Sequence, residues 1–148
     1  MSRIRRILHP SDFSRASGAA FAKAVEMAKA NRAQLLLLHV MAPVIPMMGD
    51  GYVSPKVYQE IDASARGYAQ RQLDSLVAKA KKAGVTAQGL LLDGIAHEQI
   101  ERAIRSKRVD LVVIGTHGRT GLARFFLGSV ASRVVASATC PVLTVRGK

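Results

Sequence analysis

An α/β fold with a doubly wound parallel sheet is predicted by three features of the sequence. Short apolar runs alternate along the chain with longer segments whose apolar residues repeat at helical spacing. Two of the short runs, Gln34–Val40 and Leu111–Ile114, are rich in aliphatic residues throughout, as is typical of parallel strands covered on both faces. The 148 residues, 49% of them hydrophobic, are enough to bury a core, and we expect one domain over residues 1–148.

The elements follow one another in the order β-α-β-α-β-α-β-α-β. The predicted strands are Ile4–Leu8, Gln34–Val40, Val85–Leu92, Asp110–Ile114 and Pro141–Val145. The predicted helices are Ser17–Ala30, Val57–Lys82, Ala96–Ser106 and Ser129–Ser137. We expect His9 and Pro10 to end the first strand, because proline cannot donate to a central ladder. The alternation implies right-handed crossovers with helices on both faces, a Rossmann-like sheet for which we predict the strand order 3-2-1-4-5.

The amino-acid composition indicates which kinds of molecule the protein is expected to bind. The net charge of +12 would attract anions, but the basic residues are dispersed along the sequence and the chain has no tryptophan on which bases could stack. We therefore interpret them as solvated faces and expect no sequence-specific nucleic-acid binding.

The compartment we expect is the cytoplasm. No apolar run approaches the roughly 20 residues of a membrane span, and the basic start of the sequence lacks the apolar core of a secretory signal. The one cysteine, Cys140, fits a reducing environment and is interpreted as a packing residue.

Three glycines near the fourth strand carry the main functional indication. Gly115 directly follows the strand Asp110–Ile114, Gly118 lies three residues later, and Gly128–Ser129 precede the last helix. Free N–H groups in a glycine turn and at a helix start form a ready anion site, and glycine allows close approach and positive φ. We predict that this stretch holds phosphate groups, although Ser129 has the alternative role of an N-cap.

Asp12 follows the first strand, and in a doubly wound sheet ligands bind where the strand order reverses, beyond the carboxyl ends of the strands. Asp12 would then face the glycine stretch, where a carboxylate can accept bonds from ribose hydroxyls. Its alternative role is a turn or N-cap residue. His39, inside an apolar strand, is interpreted as a hydrogen-bonded core residue.

The sequence gives little support for catalysis or for metal binding. The sequence has no P-loop lysine and no arrangement typical of a nucleophile with its base. Asp93, His97 and Glu98 could suggest a metal site, but capping and compensation of a helix dipole explain them better. We predict neither catalytic residues nor a metal site.

The spacing Gly115-x2-Gly118-x9-Gly128-Ser129, with GTHGRTGL, LGSVASRVV, CPVLTV and the opening ILHPSDFS, resembles the universal stress protein family. The likeness runs from about Arg3 to Val145 and is weakest across Met41–Lys82. It implies an adenine-nucleotide-binding α/β fold and a homodimer joined through the last strand.

The resemblance also implies the residues of the site. Asp12 would lie near the adenosine, Val40 would meet the adenine through its backbone, and Pro10 would form part of the pocket wall. The groups lining phosphates and ribose would be Gly115, His117, Gly118, Gly128, Ser129 and Val130. His9 stands where the family usually has an apolar residue, as a buried histidine or a polar group of the pocket. His117 stands where arginine or another polar residue is common.

Three functions are in contention. The first is an ATP-binding regulator of a stress response, with Mg²⁺ as an accompanying ion and at most slow hydrolysis. It would signal through dimer contacts or the irregular Met41–Pro55 loop. The second is a module of the same fold that binds protein partners and no nucleotide. The third is an enzyme, a slow ATPase or a kinase-like activity.

Overall fold

The alternating strands and helices are present in a computed structural model of the protein, which describes residues 3–42, 54–116 and 128–147. The strands are β1 (Arg6–Pro10), β2 (Gln34–Met41), β3 (Ala87–Asp93), β4 (Leu111–Gly115) and β5 (Val142–Val145). The helices are α1 (Ser17–Asn31), α2 (Pro55–Lys82), α3 (Ala96–Ser106) and α4 (Ser129–Ser137). Most of the Met41–Pro55 loop lies outside the described residues.

The strands form one parallel sheet in the order β3-β2-β1-β4-β5, which confirms the predicted topology. β1 lies between β2 and β4, so the strand order reverses on the two sides of β1. This reversal opens a crevice at the carboxyl ends of β1 and β4, where the loops diverge toward opposite faces.

Two hydrophobic layers cover the sheet because successive strand residues point to opposite faces. Ile7 packs in one layer and its neighbour Leu8 in the other. The first layer is completed by small and aliphatic residues of α1 and α2, and the second by residues of α3 and α4. The central strands are therefore apolar on both faces, as the run Leu35–Leu38 indicates.

The helix ends follow from local residues. α2 begins at Pro55, after Ser54 accepts a hydrogen bond from the Val57 N–H as an N-cap. It ends before Gly84, whose φ of 93° is a conformation that glycine adopts readily. α1 ends at Asn31, and the left-handed position after it is taken by Arg32, with φ 52°.

The expected end of the first strand was wrong. β1 continues through His9 to Pro10, which lies opposite Leu38 of β2. The Ser11 N–H still donates to the Leu38 carbonyl at 2.8 Å, so the nitrogen of Pro10 faces β4. On that side β1 pairs with β4 as far as Leu8, and a proline at the last position breaks no bond to β2.

A side chain replaces the donor that Pro10 lacks. The N–H groups of Val112 and Thr116 donate to β5, so the carbonyl of Val113, which lies between them in the pleat, faces β1. In the register Leu8 to Val112 that carbonyl would meet the nitrogen of Pro10. The His9 Nδ1 lies 2.9 Å from it and donates instead.

Among the helices that the structure describes, none is both long and apolar enough to cross a membrane.

Candidate functional site

A cleft of about 350 Å³ opens at the carboxyl ends of β1, β2 and β4. All the predicted site residues that fall in the described ranges line it: Pro10, Asp12, Val40, Gly115, Gly128, Ser129 and Val130. The remaining two predicted site residues, His117 and Gly118, lie outside the described residues. Residues distant in sequence are thus brought together at the switch point.

Asp12 lies in the segment between β1 and α1 and is held by local hydrogen bonds. Its Oδ1 accepts from the Ser14 N–H at 2.9 Å, which forms an Asx turn. The Ser11 hydroxyl accepts from the Phe13 N–H at 3.1 Å, and Phe13 itself has φ 63°. Asp12 is therefore a turn residue and not the N-cap of α1, because that position is taken by Ala16. The turn and the place on the cleft wall are compatible.

The first turn of α4 forms the facing wall. Its N-cap is Gly128, not Ser129, and no side chain caps the helix. The Gly128 N–H donates to the Thr116 carbonyl at 2.6 Å, and the first intrahelical bond runs from the Ser132 N–H to the Gly128 carbonyl. The N–H groups of the first helical residues, Ser129 to Ala131, therefore have no partner within the helix and lie at the cleft.

The two described glycines of the motif do not need positive φ, contrary to the sequence-based argument. Gly115 is the last residue of β4, and Gly128 has φ −57°. In the described ranges, the glycines with positive φ are Gly84 and Gly94. Gly115 and Gly128 instead provide space, because a residue without a Cβ lets a ligand approach the backbone closely.

His39 belongs to the cleft, which the sequence did not indicate. Its Nδ1 lies 2.7 Å from the Ser11 carbonyl, so it is hydrogen-bonded as expected, but it is only partly buried and lines the cleft. Its ring stacks on Phe13 with centroids 4.1 Å apart. The signal for this position was its place next to Val40 at the carboxyl end of β2.

His9, in contrast, is fully buried and is not among the residues that line the cleft. Because Val113 offers only a carbonyl, Nδ1 carries the proton and Nε2 is the unprotonated nitrogen. Within the described part of the chain, Nε2 has no hydrogen-bond partner. Burial lowers the pKa of His9 from 6.5 to about 4, outweighing the opposite effects of the Val113 carbonyl and of Asp12. His9 is a neutral structural histidine beneath the site.

The sequence cluster at the start of α3 takes no part in the cleft. Asp93 pairs with Arg66 of α2 at 2.8 Å, and α3 is capped by Ile95 without a side-chain bond. Over residues 3–42, 54–116 and 128–147, no group of three or more metal-ligating side chains comes together.

Different parts of the cleft offer different chemical groups to a ligand. Unbonded N–H groups of α4 offer a site for an anion. The Asp12 carboxylate can accept from hydroxyl groups, and aliphatic side chains such as Val40 and Ile114 supply apolar contact. The arrangement suits a ligand with a flat apolar part, hydroxyls and a negatively charged end.

Comparison with known proteins agrees with this geometry. The sequence matches the universal stress protein family over residues 3–146. It is 32% identical over 144 residues to the universal stress protein MJ0531 of Methanocaldococcus jannaschii, covering 96% of this chain and 82% of that protein.

Two solved structures share the fold. Protein MJ0577, also from Methanocaldococcus jannaschii, superposes with a TM-score of 0.83 at 23% identity, over 99% of each chain. A universal stress protein family protein from Arabidopsis thaliana, solved with AMP bound, superposes with a TM-score of 0.70 at 23% identity. It is matched over 97% of this chain and 92% of its own. The match over residues 3–146 and the identity to MJ0531 show that the chain belongs to the universal stress protein family.

Proposed function

We propose that this protein binds an adenine nucleotide, ATP, in the cleft at the carboxyl edge and acts as a nucleotide-dependent regulator in a stress response. The observation that carries the proposal is the uncapped first turn of α4, which lies across the same cleft from Asp12. The AMP bound in the Arabidopsis relative supports the class of ligand.

The phosphates would lie against the N–H groups of Ser129 and Val130, at the positive end of the α4 dipole. Gly115 and Gly128 leave room for close approach, and we assign His117 and Gly118 to the same phosphate wall. No lysine or arginine lines the cleft among the described residues, so backbone groups carry most of the anion binding.

The nucleoside would occupy the other half of the cleft. Asp12 would accept from the ribose hydroxyls, Val40 would meet the adenine through its backbone, and Pro10 would close the wall. The volume of about 350 Å³ falls within the ~300–1,000 Å³ of small-molecule sites. The residues present therefore fit the ligand.

Hydrolysis would be slow at most. The described lining residues include no lysine or arginine that could stabilise the charge developing on a transferring phosphoryl group. Mg²⁺ would bind chiefly through phosphate oxygens and water, because Asp12 is the one carboxylate among the described lining residues. We therefore propose that the protein binds ATP and hydrolyses it slowly at most.

We further propose that the protein works in the cytoplasm as a homodimer joined through β5. The lone Cys140 supports a reducing compartment. β5 is the last strand of the sheet order, so one of its edges is left unpaired by the described chain. Such an edge favours strand pairing with a second copy.

The test combines two measurements. Mass spectrometry of small molecules released from the purified protein should find adenine nucleotide, and calorimetry with ATP and Mg²⁺ should show saturable binding. Asp12→Asn should weaken binding about 10–100-fold, since hydrogen bonds to a charged group contribute about 1.5–3 kcal/mol.

The matched control is Asp74→Asn on the exposed face of α2, which removes the same charge and should leave binding unchanged. No released nucleotide and no saturable binding would overturn the proposal. That outcome would favour the alternative, a protein-interaction module of the same fold.

A further inference from the structure

A second cleft, of about 590 Å³, lies at the opposite edge of the sheet, where the strands begin. Its lining residues are Arg5, Arg6, Arg32, Ala33, Gln34, Thr86, Arg108 and Asp110. A smaller depression shares Arg6, Gln34 and Arg108 with it and adds Lys107. We call the two together the amino-edge cleft.

The topology gathers these cations from distant parts of the sequence. Arg5 and Arg6 lie at the start of β1, Arg32 follows α1, and Lys107 and Arg108 follow α3. In a parallel sheet the strand starts and the ends of the connecting helices meet at one edge. Basic residues that look dispersed in the sequence therefore form one concentrated positive surface.

The positive charge of the amino-edge cleft is not neutralised by carboxylates. Ion pairs within the described ranges join Lys23 to Glu26 and Arg66 to Asp62 and Asp93, all outside this cleft. Asp110 is the one acidic lining residue, and its Oδ2 accepts from the backbone N–H groups of Arg5 at 2.8 Å and Arg6 at 3.0 Å. The carboxylate thus binds backbone N–H groups, and the Arg6 Nη1 donates to the Lys107 carbonyl at 3.4 Å. Within the described ranges no guanidinium group of this cleft forms an ion pair with a carboxylate.

Two of these arginines occupy positions that favour glycine. Arg32 and Arg108 both have φ 52°, a left-handed conformation that is costly for a side chain with a Cβ. Helix dipoles explain a cation after α1 or α3. They do not explain Arg5 and Arg6, which lie at the start of β1 and line the same cleft.

We propose that the amino-edge cleft is a second binding site, for a compact anion that carries several adjacent phosphate groups. Guanidinium groups bind phosphate oxygens in a bidentate manner, and four of them line one concave surface. Gln34 and Thr86 add neutral hydrogen-bonding groups. No aromatic side chain lines the cleft among the described residues, so it offers charge recognition without base stacking.

The probe is inorganic tripolyphosphate, titrated by calorimetry into the full chain with excess AMP present to occupy the other cleft. Wild type should bind it saturably, and more tightly than orthophosphate. Arg32→Asn with Arg108→Asn should weaken binding at least about tenfold, since two charge-assisted contacts are lost. Asparagine tolerates the left-handed conformation, so the Tm of this double variant should not fall.

The matched control is Arg71→Gln with Arg102→Gln, which removes the same net charge from exposed helix positions outside the cleft. It should bind tripolyphosphate as wild type does. Equal weakening in both double variants would overturn the proposal in favour of general charge attraction. Orthophosphate binding as tightly as tripolyphosphate would do the same, because a single adventitious anion would then suffice.

Two further outcomes would distinguish a compact anion from a nucleic acid as the ligand, and the amino-edge cleft from the nucleotide cleft as its place of binding. Oligonucleotides that bind more tightly than tripolyphosphate, with affinity rising with length, would replace the compact ligand by a nucleic-acid backbone. Loss of tripolyphosphate binding in Ser129→Pro, which removes one N–H from the first turn of α4, would place the anion in the other cleft. Failure of nucleotide binding there leaves the test of the amino-edge cleft intact.

Discussion

His9 shows how one buried side chain decides local chemistry. It is fully buried, its Nδ1 donates to the Val113 carbonyl, and its pKa is lowered to about 4. The folded protein therefore holds a neutral imidazole at every pH above about 4. The unfolded chain, with a pKa near 6.5, takes up a proton earlier as the pH falls.

This difference predicts an acid-dependent loss of stability. The contribution of His9 is fully present above pH 6.5 and is lost progressively as the pH falls from about 6.5 to about 4. Since one pKa unit corresponds to 1.36 kcal/mol, the loss is on the order of 3 kcal/mol. Urea unfolding of wild type and His9→Asn between pH 4.5 and 8 checks it.

Asparagine can keep the donor to Val113 but does not titrate, so the stability difference between the two proteins should change with pH. Carboxylates titrate in both proteins and cancel in the difference. Parallel curves over the whole range would show that His9 is not the group responsible.

At the scale of elements, the junction of β1 and β4 depends on a side chain in place of a backbone donor. Pro10 has no N–H, and His9 satisfies the carbonyl that faces it. This substitution lets a proline end a central strand directly under the cleft. It also explains why the polar His9 tolerates full burial, since a buried carbonyl without a donor is unfavourable by about 1–3 kcal/mol.

The junction makes a prediction about coupling. His9→Leu alone should destabilise the protein by about 1–3 kcal/mol, because the Val113 carbonyl loses its donor. In a Pro10→Ala background, residue 10 has a backbone N–H beside the Val113 carbonyl. His9→Leu should then lower the free energy of unfolding by less than it does in wild type. A double-mutant cycle by chemical denaturation measures the interaction. Additive effects would contradict the assignment of His9 as the replacement donor.

At the scale of the whole molecule, the expected assembly depends on the edge of β5 that the described part of the chain leaves unpaired. The Val112 N–H donates to the Pro141 carbonyl and the Thr116 N–H to the Val145 carbonyl, so these alternate residues of β5 face β4. Thr144 lies between them in the pleat and presents its N–H to the opposite, free edge.

Thr144→Pro should therefore block pairing between copies without breaking the β4–β5 ladder. Light scattering should give twice the chain mass of 15.9 kDa for wild type and the single chain mass for the variant. Thr144→Val keeps the N–H and should remain dimeric. A wild-type monomer at micromolar concentration, or a dimeric Thr144→Pro, would contradict the β5 interface.

Much of the fold follows from the sequence because hydrophobic period and turn residues are local signals. The alternation of strands and helices and most helix bounds were predicted from them, and the strand order expected for such a doubly wound sheet is confirmed. The extension of β1 to Pro10 was not predictable, because it depends on a donor supplied by a side chain against a strand 104 residues away.

The functional site could likewise be predicted only in part from the sequence. Asp12 and Gly128 could be placed at one cleft from motif and topology, and Val40 from the family resemblance, and the structure brings the three together. His39 was missed, because its apolar neighbours in β2 indicate a core position, whereas the end of the strand opens toward the cleft. The concentration of arginines at the other edge was missed because only the topology joins them.

The central claim, that nucleotide phosphates bind the uncapped first turn of α4, is tested most directly by calorimetry with ATP and Mg²⁺ on two variants of Ser129. Proline suits the first helical position, and Gly128 has ψ 155°, as a residue before proline requires, so Ser129→Pro removes one N–H and should leave the helix intact. Ser129→Ala removes only the hydroxyl. We expect Ser129→Pro to bind about tenfold or more weakly than Ser129→Ala, with unchanged Tm, because a charge-assisted hydrogen bond is lost. Equal affinities for the two variants would contradict the claim.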